Sequence, residues 1–236
     1  MDKPSGDSLK EKYDTEIKKL RELSFKEKIE YIWDYYKWHI IITSVILIIL
    51  GSLFNSRVLN PAPKTVLNIS WNTRFATEGQ LAVLSDALKA RIVEEESNEK
   101  VEVMPFLLIE DDPMIAMAEI SRLVAMLAAG QIDVFILDEQ QMTEYMSNMY
   151  IQPMDGVLAL VYAMNPAVYE RVKDKMLLSM YESAEGNVTE RIMGIDISDS
   201  PLLMELGFFK QELYFCVSAT ASNIDNVAYA LVLFME

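Results

Sequence analysis

The side chains able to do chemistry in this chain are mostly carboxylates, and they fall at the ends of apolar runs. Glu110-Asp111-Asp112 follows the run 101–108, Asp138-Glu139 follows 133–137, and Asp196 and Asp199 lie at the end of 191–197. Trp71, Asn72 and Thr73 close a further run that starts at Val66. If these runs are strands of one open α/β sheet, their carboxyl ends share a rim, and ligands bind along that rim. Trp71, Asn72, Asp138, Glu139 and Asp196 would there receive a cation or an amine, with Trp71 as a stacking face. The plainer reading is preferred: Asp112 and Asp138 cap helices, and the other acids are solvated.

Other chemistry is excluded by what the chain lacks. Its one histidine, His39, borders an apolar run, so no His-dependent triad forms elsewhere. Cys216 is the only cysteine. It forms no intrachain disulfide and would be zinc's only soft ligand, so no metal or cofactor is expected. Inside an apolar strand, Cys216 reads as a buried, inert thiol. Neither a P-loop nor a G-x-G-x-x-G occurs, nor a Ca²⁺ loop of EF-hand form. No catalytic residue is assigned, and the expectation is a protein that is not an enzyme. The charge is also uneven. Residues 1–64 carry 11 Lys+Arg against 9 Asp+Glu, whereas residues 65–236 carry 10 against 27, a net of −17. Such a surface repels nucleic acid.

The elements that must hold these residues follow from periodicity. Residues 66–71 read as a strand and 77–96 as an amphipathic helix with Leu81, Leu84, Leu88 and Ile92 on one face. Strand 101–108 follows, with Pro105 near its end. A helix then runs from Pro113, with Asp112 as its cap, to about Ala129, where Gly130 ends it. That helix is apolar on most sides and should be largely buried. Strand 133–137 and helix 139–148 come next. Asn165-Pro166 opens a helix to about Met180, 191–197 and 213–218 are strands, and 223–234 is a closing helix. The order βαβαβα implies α/β: a single mostly parallel sheet with helices on both faces.

Before this domain lies the apolar segment 38–54, 17 residues without charge, near the lower limit of about 17–25 for a membrane-spanning helix. Trp33, Tyr35, Tyr36 and Trp38 precede it like an interfacial belt. Lysines and Arg21 crowd its N-terminal side, while Arg57 and Lys64 alone follow closely, which puts the N-terminus in the cytoplasm. The flanks of 38–54 offer no good cleavage site, so the segment reads as an uncleaved signal anchor in the lipid bilayer. The chain divides into a disordered tail (1–8), a juxtamembrane helical segment (9–37), the transmembrane anchor (38–56), a linker (57–64) and an extracellular α/β domain (65–236). Ser24 with Glu27 has the form of a capping box, which predicts a second helix starting there. The segment 9–37 reads either as an amphipathic helix on the inner leaflet or as a solvated stalk.

Two resemblances add to this. Ala129-Gly130-Gln131-Ile132-Asp133-Val134-Phe135-Ile136-Leu137-Asp138, continued by Tyr145, Tyr150, Ile151, Pro153, Met154 and Asp155, resembles a segment of bacterial extracellular solute-binding proteins. Gly194-Ile195-Asp196-Ile197-Ser198 and residues 213–220 resemble the returning strand and closing helix of those type II periplasmic-binding-protein-like lobes. The run Ser24 to Ile40 resembles the juxtamembrane segment of uncharacterised membrane proteins of anaerobic Gram-positive bacteria. Solute-binding receptors trap ligand between two lobes, but 65–236 spans 172 residues, which is one lobe. The resemblance therefore implies a fold more than transport. The expected function is a single-pass, membrane-anchored extracellular binding or protein-interaction module. The alternatives are a substrate-capturing receptor associated with a transporter, or a sensor or scaffold subunit of a membrane complex. The partner would be a membrane protein or a small-molecule ligand.

Overall fold

The fold is described from a computed structural model covering residues 24–73, 76–106, 113–183 and 186–236, with Asp14 and Ile17. The expected tail 1–8, most of the segment 9–23, and the acids Glu110, Asp111 and Asp112 lie outside the described residues. The chain forms two compact units, residues 1–62 and 63–236.

The first unit is a long helix, α1 (Phe25–Phe54). It starts where the capping box places it: the Ser24 amide donates to Glu27 Oε2 at 2.8 Å, and the Ser24 side chain, then this amide, hold the Glu27 carboxyl below its ordinary value. The helix does not stop at Phe54. It continues through a π-helical turn, Asn55–Leu59, where the Asn60 amide donates to the Asn55 carbonyl at 2.7 Å. Tyr36–Leu59 is thus a 24-residue span of mean hydropathy 2.0, with none of it buried. At 1.5 Å per residue it is about 36 Å long, enough to cross a hydrocarbon core of about 30 Å. The count of 17 apolar residues was short because Asn55, Ser56 and Arg57 interrupt composition without interrupting the helix.

The second unit is an α/β domain with a seven-stranded sheet. Its strands are β1 (Lys64–Trp71), β2 (Glu99–Pro105), β3 (Val134–Leu137), β4 (Ile151–Gln152), β5 (Met176–Glu182), β6 (Val188–Asp196) and β7 (Tyr214–Ser218). The order is β2-β1-β3-β7-β6-β5, with β4 pairing β7. β1 is parallel to β2 and β3, but β7 runs antiparallel to β3, β6 to β7 and β5 to β6. The sheet is therefore mixed, not mostly parallel as the βαβαβα order implied. That order held only as far as β3. Beyond it the chain returns through a hairpin and an inserted strand, and such connections permit antiparallel pairing.

The helices are α2 (Glu78–Ile92), α3 (Pro113–Ala128), α4 (Glu139–Ser147), α5 (Asp155–Met164), α6 (Pro166–Val172), α7 (Pro201–Glu205) and α8 (Ile224–Met235). They cover both faces. On one face Leu67, Ile69, Trp71, Val134, Ile136, Phe215 and Val217 pack with α2, α5, α6, α7 and α8, and α8 is buried almost throughout. On the other, Phe135, Leu137, Tyr214 and Cys216 meet Leu123 and Leu127 of α3 and Met142 and Tyr145 of α4. Period-2 alternation along β3 and β7 supplies both cores from the same strands.

Two expected elements differ. The helix opened by Asn165-Pro166 ends at Val172, followed by a short 3₁₀ turn and then β5. Met176-Leu177-Leu178-Ser179-Met180-Tyr181 is acceptable to either state. Its pairing along β6, from Met176 with Ile195 to Glu182 with Val188, decides it. Helix α3, expected to be largely buried, buries only Leu123 and Leu127 fully among its described side chains, and Met117, Ile120 and Val124 are exposed. Gly130 does end it, with φ +63° and the Gln131 amide donating back to the Met126 carbonyl at 2.9 Å.

Candidate functional site

The rim is real as a place. β1, β3 and β6 all run toward it, and pairing of Trp71 with Ile136, Leu137 with Tyr214 and Asp196 with Tyr214 brings their ends to one edge. What the residues do there differs from one to the next. Trp71 is fully buried, with its ring 5.2 Å from Phe208, so it presents no open face for stacking. Its Nε1 and the nearby Thr73 Oγ1 are buried without partners among the described residues.

Asn72 is the hub of a buried network. Ser70 Oγ donates to its Oδ1 at 2.7 Å, its Nδ2 donates to the Tyr145 hydroxyl at 2.6 Å, and its amide donates to the Ile136 carbonyl at 3.0 Å. Gln141 Nε2 donates to its carbonyl at 2.7 Å. Its carboxamide is thus engaged at both ends, joining β1 to α4. Burial raises the Tyr145 phenol above its ordinary value, and the charge of Glu144 adds to that.

Asp138 caps α4: its Oδ1 accepts the Gln141 amide at 2.8 Å, and Gln141 Oε1 accepts the Asp138 amide at 3.2 Å. Glu139 is exposed in the first turn. Asp196 is half-buried and accepts from the Ser198 amide at 2.9 Å and from the Ser198 hydroxyl. Asp199, also at this end, pairs with Lys175, which holds its carboxyl below the ordinary range. Between Asp138 and Asp196 stands Tyr214, whose hydroxyl donates to Glu212. Burial first, then Glu212, pushes its phenol up. The structure thus brings Asn72, Asp138, Glu139 and Asp196 to one edge, with Asn72, Asp138 and Asp196 engaged in local hydrogen bonds. Cys216 is buried, and burial pushes its thiol up. Among the described residues no group of His, Cys, Asp and Glu could hold a metal ion.

Two polar residues outside the rim are buried side by side. Asn68 is 4% exposed and Asp133 is 4% exposed, on adjacent strands away from the rim. Asp133 Oδ2 accepts the Asn68 amide at 3.0 Å. The one signal was their position inside or beside apolar runs. Asn68-Ile69-Ser70 also has the form of a glycosylation sequon, but the Asn68 side chain is buried and offers no accessible acceptor.

The fold and the rim define an α/β domain on a chain that has, among the described residues, one helix long and apolar enough to cross a membrane. No family model, no curated protein and no solved structure matches the chain.

Proposed function

We propose that the chain is a single-pass, membrane-anchored, non-catalytic module whose α/β domain lies outside the cell and binds a protein partner. Its body is built like one lobe of a solute-binding protein. The observation that carries this is the outer face of the β5–β6 hairpin. Leu178, Met180 and Val188 are exposed on it at 60%, 63% and 55%. Leu178 pairs with Ile192, which lines an adjoining groove of about 340 Å³ with Leu158, Tyr162 and Tyr169. Among the described residues β5 is also the edge of the sheet, with one side unpaired. Apolar patches of this kind on a soluble domain mark interaction surfaces. The returning antiparallel β7 beside β3, and the closing helix α8, support the solute-binding-like lobe. The lysine-rich side of α1 supports a cytoplasmic N-terminus.

The test is a photo-crosslinking residue placed at Met180 or at Val188 in intact cells, with one at the exposed Glu96 as control. A discrete crosslinked band from Met180 and from Val188 but not from Glu96 is expected, with the Val188 band lost in a Leu178→Ser, Met180→Ser background. The same bands from Glu96, or none from Met180 and Val188, refute the reading. A second reading, a sensor or scaffold subunit, is favoured by the continuity of α1 from Phe25 to Phe54. The receptor reading is weaker because the rim acids Asp138 and Asp196 are already engaged in local hydrogen bonds.

A further inference from the structure

At the opposite end of the sheet order from β5, a cavity of about 490 Å³ opens between β1, β2 and the C-terminal part of α3. Asn68, Asp133, Glu102, Lys64, Met104 and Met126 are among its walls. Asp133 is a buried carboxylate with no cationic partner among the described residues. It is held only by dipoles. Its Oδ2 accepts the Asn68 amide at 3.0 Å, and its Oδ1 accepts the Ser222 amide at 3.3 Å and Asn223 Nδ2 at 3.5 Å, both long. Beside it the Asn68 carboxamide, nine-tenths buried, has an Oδ1 that accepts nothing among the described residues. A buried charge without a counter-charge and a buried acceptor without a donor are both costly. Both residues line the same cavity.

We propose that this cavity binds a small primary amine as its ammonium ion. The head sits against Asp133 Oδ1 and the Asn68 carboxamide, and a short aliphatic chain lies along Met104 and Met126. The ammonium fits where other cations do not. A hard metal ion needs about six or more oxygens, and Glu102 is already engaged by Lys100 Nζ at 2.9 Å and Thr65 Oγ1 at 3.2 Å. A guanidinium gains most when both carboxylate oxygens enter its fork, and Asp133 Oδ2 already accepts the Asn68 amide at 3.0 Å. Water would satisfy Asn68 but leave the Asp133 charge uncompensated. The net negative charge of the domain raises the local concentration of any small cation.

The proposal stands apart from the hairpin reading, because it concerns the other end of the sheet. Its probe is n-butylammonium chloride, titrated into the full chain in detergent micelles and followed by calorimetry at fixed ionic strength. Tetramethylammonium chloride, a cation with no N–H, is the control. Saturable heat from butylammonium alone is expected, abolished by Asp133→Asn, weakened about tenfold by Asn68→Ala and unchanged by Glu94→Gln. Hydrogen exchange on the wild type decides the matter if a variant fails to fold. Butylammonium should slow exchange in 64–71 and 130–137 and leave 176–192 unchanged. Equal heat from both cations, undiminished heat in Asp133→Asn, or no protection of those segments overturns the proposal.

Discussion

Replacing Tyr145 by Phe isolates one hydrogen bond. The ring is 2% exposed and packs edge-on against Phe135 at 5.1 Å and Tyr150 at 5.5 Å, contacts that Phe retains. What is lost is the acceptor of Asn72 Nδ2, 2.6 Å away, and Asn72 is itself 2% exposed. A buried donor left unsatisfied costs its desolvation, about 1–3 kcal/mol. With a urea m-value of about 2 kcal/mol/M, the unfolding midpoint should fall by about 0.5–1.5 M. Trp71, fully buried in the outer core, is the natural reporter. In the full chain in micelles, with Trp33 and Trp38 changed to Phe, it is the only tryptophan left. Asn72→Ala strands the Tyr145 hydroxyl and also removes the acceptor of Ser70 Oγ. The double variant should therefore be less unstable than the sum of the singles, with a coupling of about 1 kcal/mol. A Tyr145→Phe midpoint equal to the wild type's, or strict additivity with Asn72→Ala, would show that the network is not the joint between β1 and α4.

Two further outcomes are expected. A Cβ at Gly194 would stand 3.0 Å from Cys216 Sγ and 3.2 Å from Met142 Sδ, so Gly194→Ala should cost about 1–3 kcal/mol by overpacking. Cys216→Ala in that background should recover part of it, measured by the same unfolding. Asp199 is depressed by its hydrogen bond from Lys175. A carboxyl lowered in the folded state adds stability above its unfolded value, near 4, and that stability fades as pH falls through the lower folded value. The melting temperatures of wild type and Lys175→Met should therefore differ at pH 7 and converge below about pH 4, and a constant difference would refute the pairing.

Much of the fold was legible because local signals agreed with one another. Asp138, and Asn165 with Pro166, announced helix starts that the structure keeps. The apolar runs at Val134–Leu137 and Tyr214–Ser218 announced buried strands. Strand direction was not legible. Nothing in Tyr214–Ser218 itself says that it inserts between β3 and β6 and runs against both, because a continuous apolar run fits either orientation. β5 was read as helix because its Met and Leu residues suit a helix, and only its partner strand overrules that. The rim residues were legible by position, but their state was not. Whether Asn72 is open or engaged depends on Tyr145, 73 positions away.

The exposure of α3 and the Asn68 cavity have one cause, and it lies in β1. Along this strand Leu67, Ile69 and Trp71 face the helices α2 and α8, and their row is wholly apolar. The alternate row is Asn68, Ser70 and Asn72, all buried and all polar, on the face that α3 and α4 cover. A strand covered on both sides ordinarily reads as a continuous apolar run, so this row is a departure that must be compensated by partners. Near α4 it is, through Tyr145 and Gln141. Near α3 it is not. A helix of Met, Ile, Leu and Val gains little by closing over an amide. α3 therefore buries only Leu123 and Leu127 among its described side chains, leaves Met117, Ile120 and Val124 in solvent, and stands off from the sheet where Asn68 and Asp133 meet. An apolar residue at 68 would let the helix settle and would fill the cavity. Asparagine there costs packing, and a ligand with N–H donors would offset that cost.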